Sequence, residues 1–241
     1  MRLDIVLDNW LLLARGALTT VLLMLVVGTV SPLLAIPLAL LRNSRVRSLA
    51  IPVAVFSWFT RAVPTLVLLF FCYYGLPFFG IFLDPLPSAL LALVLSATGY
   101  NVEFFRAGLR AVPKGQYEAA AALGLPASVA FRKVIFPQAL RIAVPALFSN
   151  FTLNLKGTAL ASLVSVPELS GAVQGLISDT YRPVEFLLAA GVIYLALNSV
   201  LIALQHLVER YLDVDAAPRS TKARSSKPAV TRPKAVSAAS R

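Results

Sequence analysis

Apolar residues run along this chain in long stretches separated by short polar segments. A helix that crosses a bilayer needs about 20 mainly apolar residues. Five stretches meet that requirement: roughly residues 16–41, 49–74, 86–105, 142–166 and 186–207. Pro32, Pro37, Pro64 and Pro145 fall inside them, which membrane helices tolerate when neighbouring groups satisfy the freed carbonyls. Alternating strand patterns are absent, so a β-barrel is not expected. The pattern predicts an all-α integral membrane fold with five transmembrane helices. Residues 1–15 read as an external segment, 16–212 as the transmembrane domain, and 213–241 as a basic tail.

The polar positions set orientation, because short cytoplasmic loops carry the excess of Lys and Arg. The first loop holds Arg42, Arg45 and Arg47, and the second, around Pro77–Pro87, holds none. The third carries Arg106, Arg110, Lys114, Arg132, Lys133 and Arg141, whereas the fourth has only Arg182 among Glu168, Asp179 and Glu185. Loops one and three and the C-terminus are therefore expected in the cytoplasm and the N-terminus outside.

Composition agrees. Of 241 residues, 58% are hydrophobic and 14% charged, and the mean hydropathy is +0.79, far from the charge content a soluble domain uses. The net charge of +11 does not point to nucleic acid, since seven basic residues lie after Leu212 and others flank apolar runs. That tail, rich in Ala, Ser, Pro, Lys and Arg, is expected to be disordered, either solvated or touching anionic headgroups. One cysteine, Cys72, and one histidine, His206, leave no disulfide framework and no Cys/His metal cluster. Asp4 and Asp8 precede a first apolar run too long for a signal h-region, so no cleavable signal is expected.

The longest internal hydrophilic loop, Gly115–Pro137, breaks the apolar pattern. Its four consecutive alanines, Ala119–Ala122, favour helix, Gly124 supplies a stop, and Pro126 suits the first turn of a second helix. Two short helices of about 9 and 11 residues result, by a rise of 1.5 Å per residue about 13 and 16 Å long, with Pro137 closing the second. From the residues alone, such a loop either docks a partner or rests on headgroups as an interfacial helix.

The spacing resembles the signature loop of ABC importer permeases: E-A-A, three residues, G, nine residues, I-x-L-P. Glu118, Ala119, Ala120 and Gly124 match, and Val134 and Phe136 stand for the family's Ile and Leu before Pro137. Further runs resemble the polar amino-acid permeases of the histidine, glutamine and arginine type: Arg61-Ala-Val-Pro-Thr-Leu onward to Tyr73-Tyr-Gly, Tyr100–Glu103 with Arg106-Ala-Gly, and Lys156-Gly-Thr-Ala-Leu through Val166-Pro-Glu-Leu. The likeness spans roughly residues 15–212. It implies the type I ABC importer permease fold with a cytoplasmic coupling-helix loop, in a multi-pass protein of a bacterial inner membrane.

The resemblance also implies partners: a cytoplasmic ATPase dimer docked on the loop, a second permease subunit, identical or paralogous, and an external amino-acid-binding protein. In the loop, Gln116, Glu118, Ala119, Ala120, Gly124, Arg132 and Pro137 are the expected coupling residues. The chain holds no G-x-x-x-x-G-K-[ST] phosphate loop, so it is expected to be a transport subunit and not an enzyme. No cofactor or metal of its own is expected, ATP being bound by the partner. Membrane lipids complete the environment, and no nucleic acid partner is expected.

Charges within spans are functional candidates by default, at about 2.5–3.5 kcal/mol each at the bilayer centre on insertion scales. Glu103 either serves the pathway or pairs with Arg106 three residues on. Arg61 either serves it or snorkels and bonds broken-helix carbonyls near Pro64. Lys156 lies in a polar run, Asn150–Thr158, that suits a buried seam or water-lined path. The resemblance places the substrate pathway along these segments, at Arg61, Pro64, Asn101, Glu103, Asn154, Lys156 and Thr158. The family's R-G-T-P and K-D-T-S have here become Arg61-Ala-Val-Pro and Lys156-Gly-Thr-Ala, losing a carboxylate and two hydroxyls. The expected cargo is a polar amino acid, or an amino-acid-like solute such as an opine or compatible solute. An ATP-independent transporter or a scaffold is the competing class, the first needing inverted repeats and buried coupling acids.

Overall fold

The structure is a computed structural model that describes residues 4–213; the basic tail expected from residue 213 onward falls almost wholly outside them. The helices are α1 (Asp4–Asp8), α2 (Trp10–Arg42), α3 (Arg47–Ala62), α4 (Thr65–Phe70), α5 (Pro85–Ala111), α6 (Lys114–Ala122), α7 (Ala127–Ala130), α8 (Phe136–Gly157), α9 (Leu169–Thr180) and α10 (Pro183–Asp213). Four helical stretches are long and apolar enough to cross a membrane, and a bent pair makes a fifth.

Three long helices form the centre. The most apolar window of α5 is 61% buried, against 6% for α10, so α5 is the axis and α10 the periphery. Alanines let the helices close, as small residues do where lipid gives no hydrophobic drive: Ala35 and Ala39 of α2 and Ala143 of α8 share one core with the larger Val102 and Phe105 of α5 and Leu147 of α8. At Gly108 a Cβ would collide with the carbonyl oxygen of Ala139 in α8, so only glycine allows this approach. Toward the other end, Leu23 of α2 meets Leu68 and Leu69 of α4, Ala89 and Ala92 of α5, and Val164. A third cluster joins Leu13 to Leu169, Val173 and Leu176 of α9 and Phe186 of α10.

Three expectations need correction. The second span is not one helix: Arg47–Ala62 and Thr65–Phe79 meet at 103°. Pro64 has no N–H to continue the ladder, and Val63 before it is extended at φ −82°, ψ 128°. The π turn Phe71–Gly75 and the 3₁₀ turn Leu76–Phe79 then carry the chain to Gly80.

Pro137 does not close a helix. The chain from Ala127 runs through a π turn, Phe131–Ile135, straight into α8. Phe136 N–H bonds back to the Phe131 carbonyl, and Pro137 sits in the first turn of α8, where its missing N–H costs little. The fourth span therefore reaches down into the loop instead of starting near residue 142.

The segment after Val166 is not a plain loop, since it contains the twelve-residue helix α9 packed against α2. The N-terminal segment, expected to be external up to residue 15, holds α1 and, from Trp10, the first turns of α2.

Candidate functional site

The loop helix α6 is built by its alanines and stopped by glycine. Leu125 N–H bonds to Ala120 O at 3.1 Å and Gly124 N–H to Ala121 O at 2.9 Å, with Gly124 at φ +67°. This is the Schellman ending, whose left-handed residue favours glycine. Ala120 alone of the helix is buried; Gln116, Glu118, Ala119, Ala121 and Ala122 face outward, and Leu123 is 78% exposed. An exposed leucine beside small alanines leaves a flat surface open to close approach.

Two side chains tie this helix to the spans. Gln138 Nε2 of α8 donates to Gln116 Oε1 at 3.1 Å, and Tyr117 OH donates to the Leu109 carbonyl of α5 at 3.4 Å. The π turn packs by Phe131, Val134 and Ile135 on Leu109, Val112 and Ala139, while Arg132 and Lys133 stay exposed. Of the seven residues expected at the coupling surface, Ala120 and Pro137 face inward or lie in the helix joint, and the other five are exposed.

Polar groups also meet inside the helix bundle. Asn101 is fully buried; its Nδ2 donates to Ser31 Oγ at 2.9 Å, and its Oδ1 accepts from Asn150 Nδ2 at 2.8 Å. Asn154 Nδ2 donates to the Asn150 carbonyl at 2.8 Å. These contacts link α2, α5 and α8. Asn101 is thus sealed from solvent and acts on the bundle by joining helices.

A second cluster surrounds Glu103. Its carboxylate accepts from Arg106 Nη1 at 2.8 Å and from Ser57 Oγ at 3.1 Å, with Arg42 Nε at 3.7 Å. The Ser57 carbonyl in turn accepts from Arg61 Nε at 3.1 Å. Of the two readings for Glu103, the pair with Arg106 is present, and the carboxylate already holds two hydrogen bonds. Arg61 and Pro64 are both exposed at the 103° bend, with Arg61 bonding a carbonyl of its own helix.

Lys156 is exposed, whereas Thr158 is fully buried and donates to the Leu155 carbonyl at 2.7 Å. The polar run of α8 is therefore two-sided, with Asn150 and Thr158 turned inward and Lys156 outward. Sequence reasoning missed Glu168, counted among loop charges, which is fully buried. The available signal was its place three residues before Gly171, after Pro167, where a side-chain acceptor caps a helix. Among the described residues no group of His, Cys, Asp and Glu is arranged to hold a metal.

A family model described as "Binding-protein-dependent transport system inner membrane component" matches residues 31–214. The octopine transport system permease protein OccM of Rhizobium meliloti is 40% identical over 202 residues, covering 80% of this chain and 81% of that protein. The nopaline transport system permease protein NocM of Agrobacterium fabrum is 33% identical over 223 residues, covering 88% and 92%. The L-cystine transport system permease protein TcyB of Bacillus subtilis is 35% identical, covering 85% and 88%. A solved amino acid ABC transporter superposes with TM-score 0.82 at 29% identity, over 88% of this chain and 99% of that one. The MetNI methionine transporter, at 19% identity and TM-score 0.73, shares the fold.

Proposed function

The chain belongs to the binding-protein-dependent transport system inner membrane component family, and from that premise we propose that it moves a polar amino acid across the inner membrane by alternating access. It is a permease subunit of an ABC importer. The energy comes from a separate ATPase dimer seated on the exposed face of α6, around Glu118, Ala119 and Leu123. Two such permease subunits enclose the pathway, and an external binding protein delivers the cargo. The N-terminus faces outside, and the α6–α7 loop faces the cytoplasm with Arg132 and Lys133.

The observation that carries this reading is the mounting of α6: an exposed small-residue helix fastened through Gln116 to α8 and through Tyr117 to α5. A push on that face reaches the two helices that hold the buried asparagines. Arg61 and Lys156, both exposed, line the path from the bend toward the outer half. Glu103 supports it by holding the arginines at its cytoplasmic end.

An opine, an amino-acid derivative, is the second reading for the cargo, favoured by the identity to the octopine and nopaline permeases. The test is uptake by the reconstituted complex of permease, ATPase and binding protein, with a panel of amino acids and opines. ATP-dependent accumulation of one member supports the reading. Accumulation by this chain alone, without ATPase, would overturn it.

A further inference from the structure

One buried carboxylate holds the break between the fourth span and α9. Glu168 Oε1 accepts the Gly171 N–H at 2.8 Å, capping the first turn of α9. Its Oε2 accepts the Tyr194 hydroxyl of α10 at 2.9 Å and the Thr20 hydroxyl of α2 at 3.3 Å. The same Thr20 oxygen accepts the Leu169 N–H at 3.1 Å, and the Ser170 and Tyr194 hydroxyls lie 3.0 Å apart. Backbones close there too: a Cβ on Gly16 of α2 would stand 2.9 Å from Ala172 Cβ and 3.0 Å from Leu169 Cα.

This knot lies deep. Thr20 is ten residues into α2 and Tyr194 eleven into α10, about 15 Å from each helix start at 1.5 Å per residue. A carboxylate at such depth is costly unless it does something an apolar contact would not. Its three side-chain bonds run to α2, α9 and α10, and among the described residues none runs to α8. On the α8 side the chain is a 3₁₀ turn, Thr158–Val164, ending at left-handed Ser165 with φ 65°. α8 itself packs against α10 and α2, so that turn is not its only tie to them; what Glu168 adds is the fastening of α9 to both.

We infer that Glu168 is a positioning residue that fastens α9 to α2 and α10, so that the three keep one arrangement throughout transport. The inference rests on the importer reading for its cycle, and on the geometry alone for its lock.

The test uses the assembled complex with Cys72→Ala and one pair of spin labels, at Leu18→Cys and Gln174→Cys. The expected result is an 18–174 distance that stays the same between nucleotide-free and ATP-trapped states. Glu168→Ala should broaden the 18–174 distribution and raise ATP hydrolysed per solute moved several-fold. Glu168→Gln, which keeps an acceptor for Gly171 and faces hydroxyls that can rotate, should restore most of both. Tyr194→Phe, which removes one bond, serves if the alanine variant does not assemble. An 18–174 distance that shifts with ATP in the unmodified protein overturns the inference. So does a Glu168→Ala or Tyr194→Phe variant that changes neither the distribution nor the coupling ratio. The 18–174 pair reads the lock without cargo, so its result stands apart from any failure of uptake.

Discussion

The side-chain amide of Gln138 bridges two elements, donating to Gln116 Oε1 of α6 at 3.1 Å and to the Val134 carbonyl of the π turn at 2.8 Å. The loop helix is thereby fixed to the base of α8 through an exposed contact. Such a bond is worth about 0.5–1.5 kcal/mol, roughly two- to ten-fold in any equilibrium that depends on it. Gln138→Ala should leave ATPase docking intact and lower uptake per ATP by about that factor. Uptake and ATPase assays on the same proteoliposomes check it; an unchanged ratio would free Gln138 from any tethering role.

Glu103 gathers Arg106, Arg42 and Ser57, so neutralising it strands two guanidinium groups. Removing one partner of a buried pair costs about 3–5 kcal/mol, and the partial exposure of this cluster brings the expected loss down toward about 1–3 kcal/mol. Glu103→Gln should therefore lower the melting temperature of the complex, with little change in the KM for cargo. A raised KM at unaltered stability would instead put Glu103 in contact with the solute.

Asn101 bonds both Ser31 and Asn150 with no solvent access. Asn101→Leu removes both bonds and leaves Ser31 Oγ its bond to the Val27 carbonyl at 2.7 Å and Asn150 Nδ2 a 3.5 Å contact to the Ala97 carbonyl. The cost therefore falls below the roughly 1–3 kcal/mol of a fully unsatisfied group, toward the average of about 0.6 kcal/mol for membrane hydrogen bonds. A double-mutant cycle with Asn150→Leu should show coupling of that size. Strict additivity in thermal unfolding would mean that the bond contributes nothing.

At Gly108 an added methyl meets the Ala139 carbonyl, while at Gly191 it meets nothing within 4 Å. Gly108→Ala should destabilise by about 1–3 kcal/mol, the usual cost of overpacking, and Gly191→Ala should be near neutral. Detergent-stability assays on the two variants compare them directly. Equal behaviour would mean that α5 and α8 separate easily at this contact.

The helices themselves were legible, because twenty apolar residues in a row admit few alternatives. The break at Pro64 was not: several membrane helices here carry proline without breaking, as α2 does at Pro32 and Pro37, so proline alone does not mark a bend. Pro137 misled for the opposite reason, since it reads as a stop until the π turn before it removes the need for its N–H. Glu168 was hidden by company. It sits near Asp179, Arg182 and Glu185, and its partners Thr20 and Tyr194 are 148 and 26 residues away. Periodicity within a segment carries no trace of such a pairing. The spacing from Glu118 to Gly124 was legible because a helix ending is a local device.

That ending makes the last prediction. Gly124 stands at φ +67° with open space around its missing side chain, so a substitution there acts through backbone strain and not through crowding. A non-glycine residue held left-handed costs roughly 1–2 kcal/mol, and asparagine, which tolerates that region, costs less. Gly124→Ala should loosen the close of α6 and reduce the ATPase stimulation caused by the loaded binding protein, and Gly124→Asn should reduce it less. Glu118→Lys, which alters the exposed face and leaves the ending alone, should weaken co-purification of the ATPase. If Gly124→Ala and Gly124→Asn behave alike while Glu118→Lys still holds the ATPase, neither the ending nor that face of α6 sets the contact. The exposed surface around Arg132 and Lys133 would then be the place where the ATPase grips.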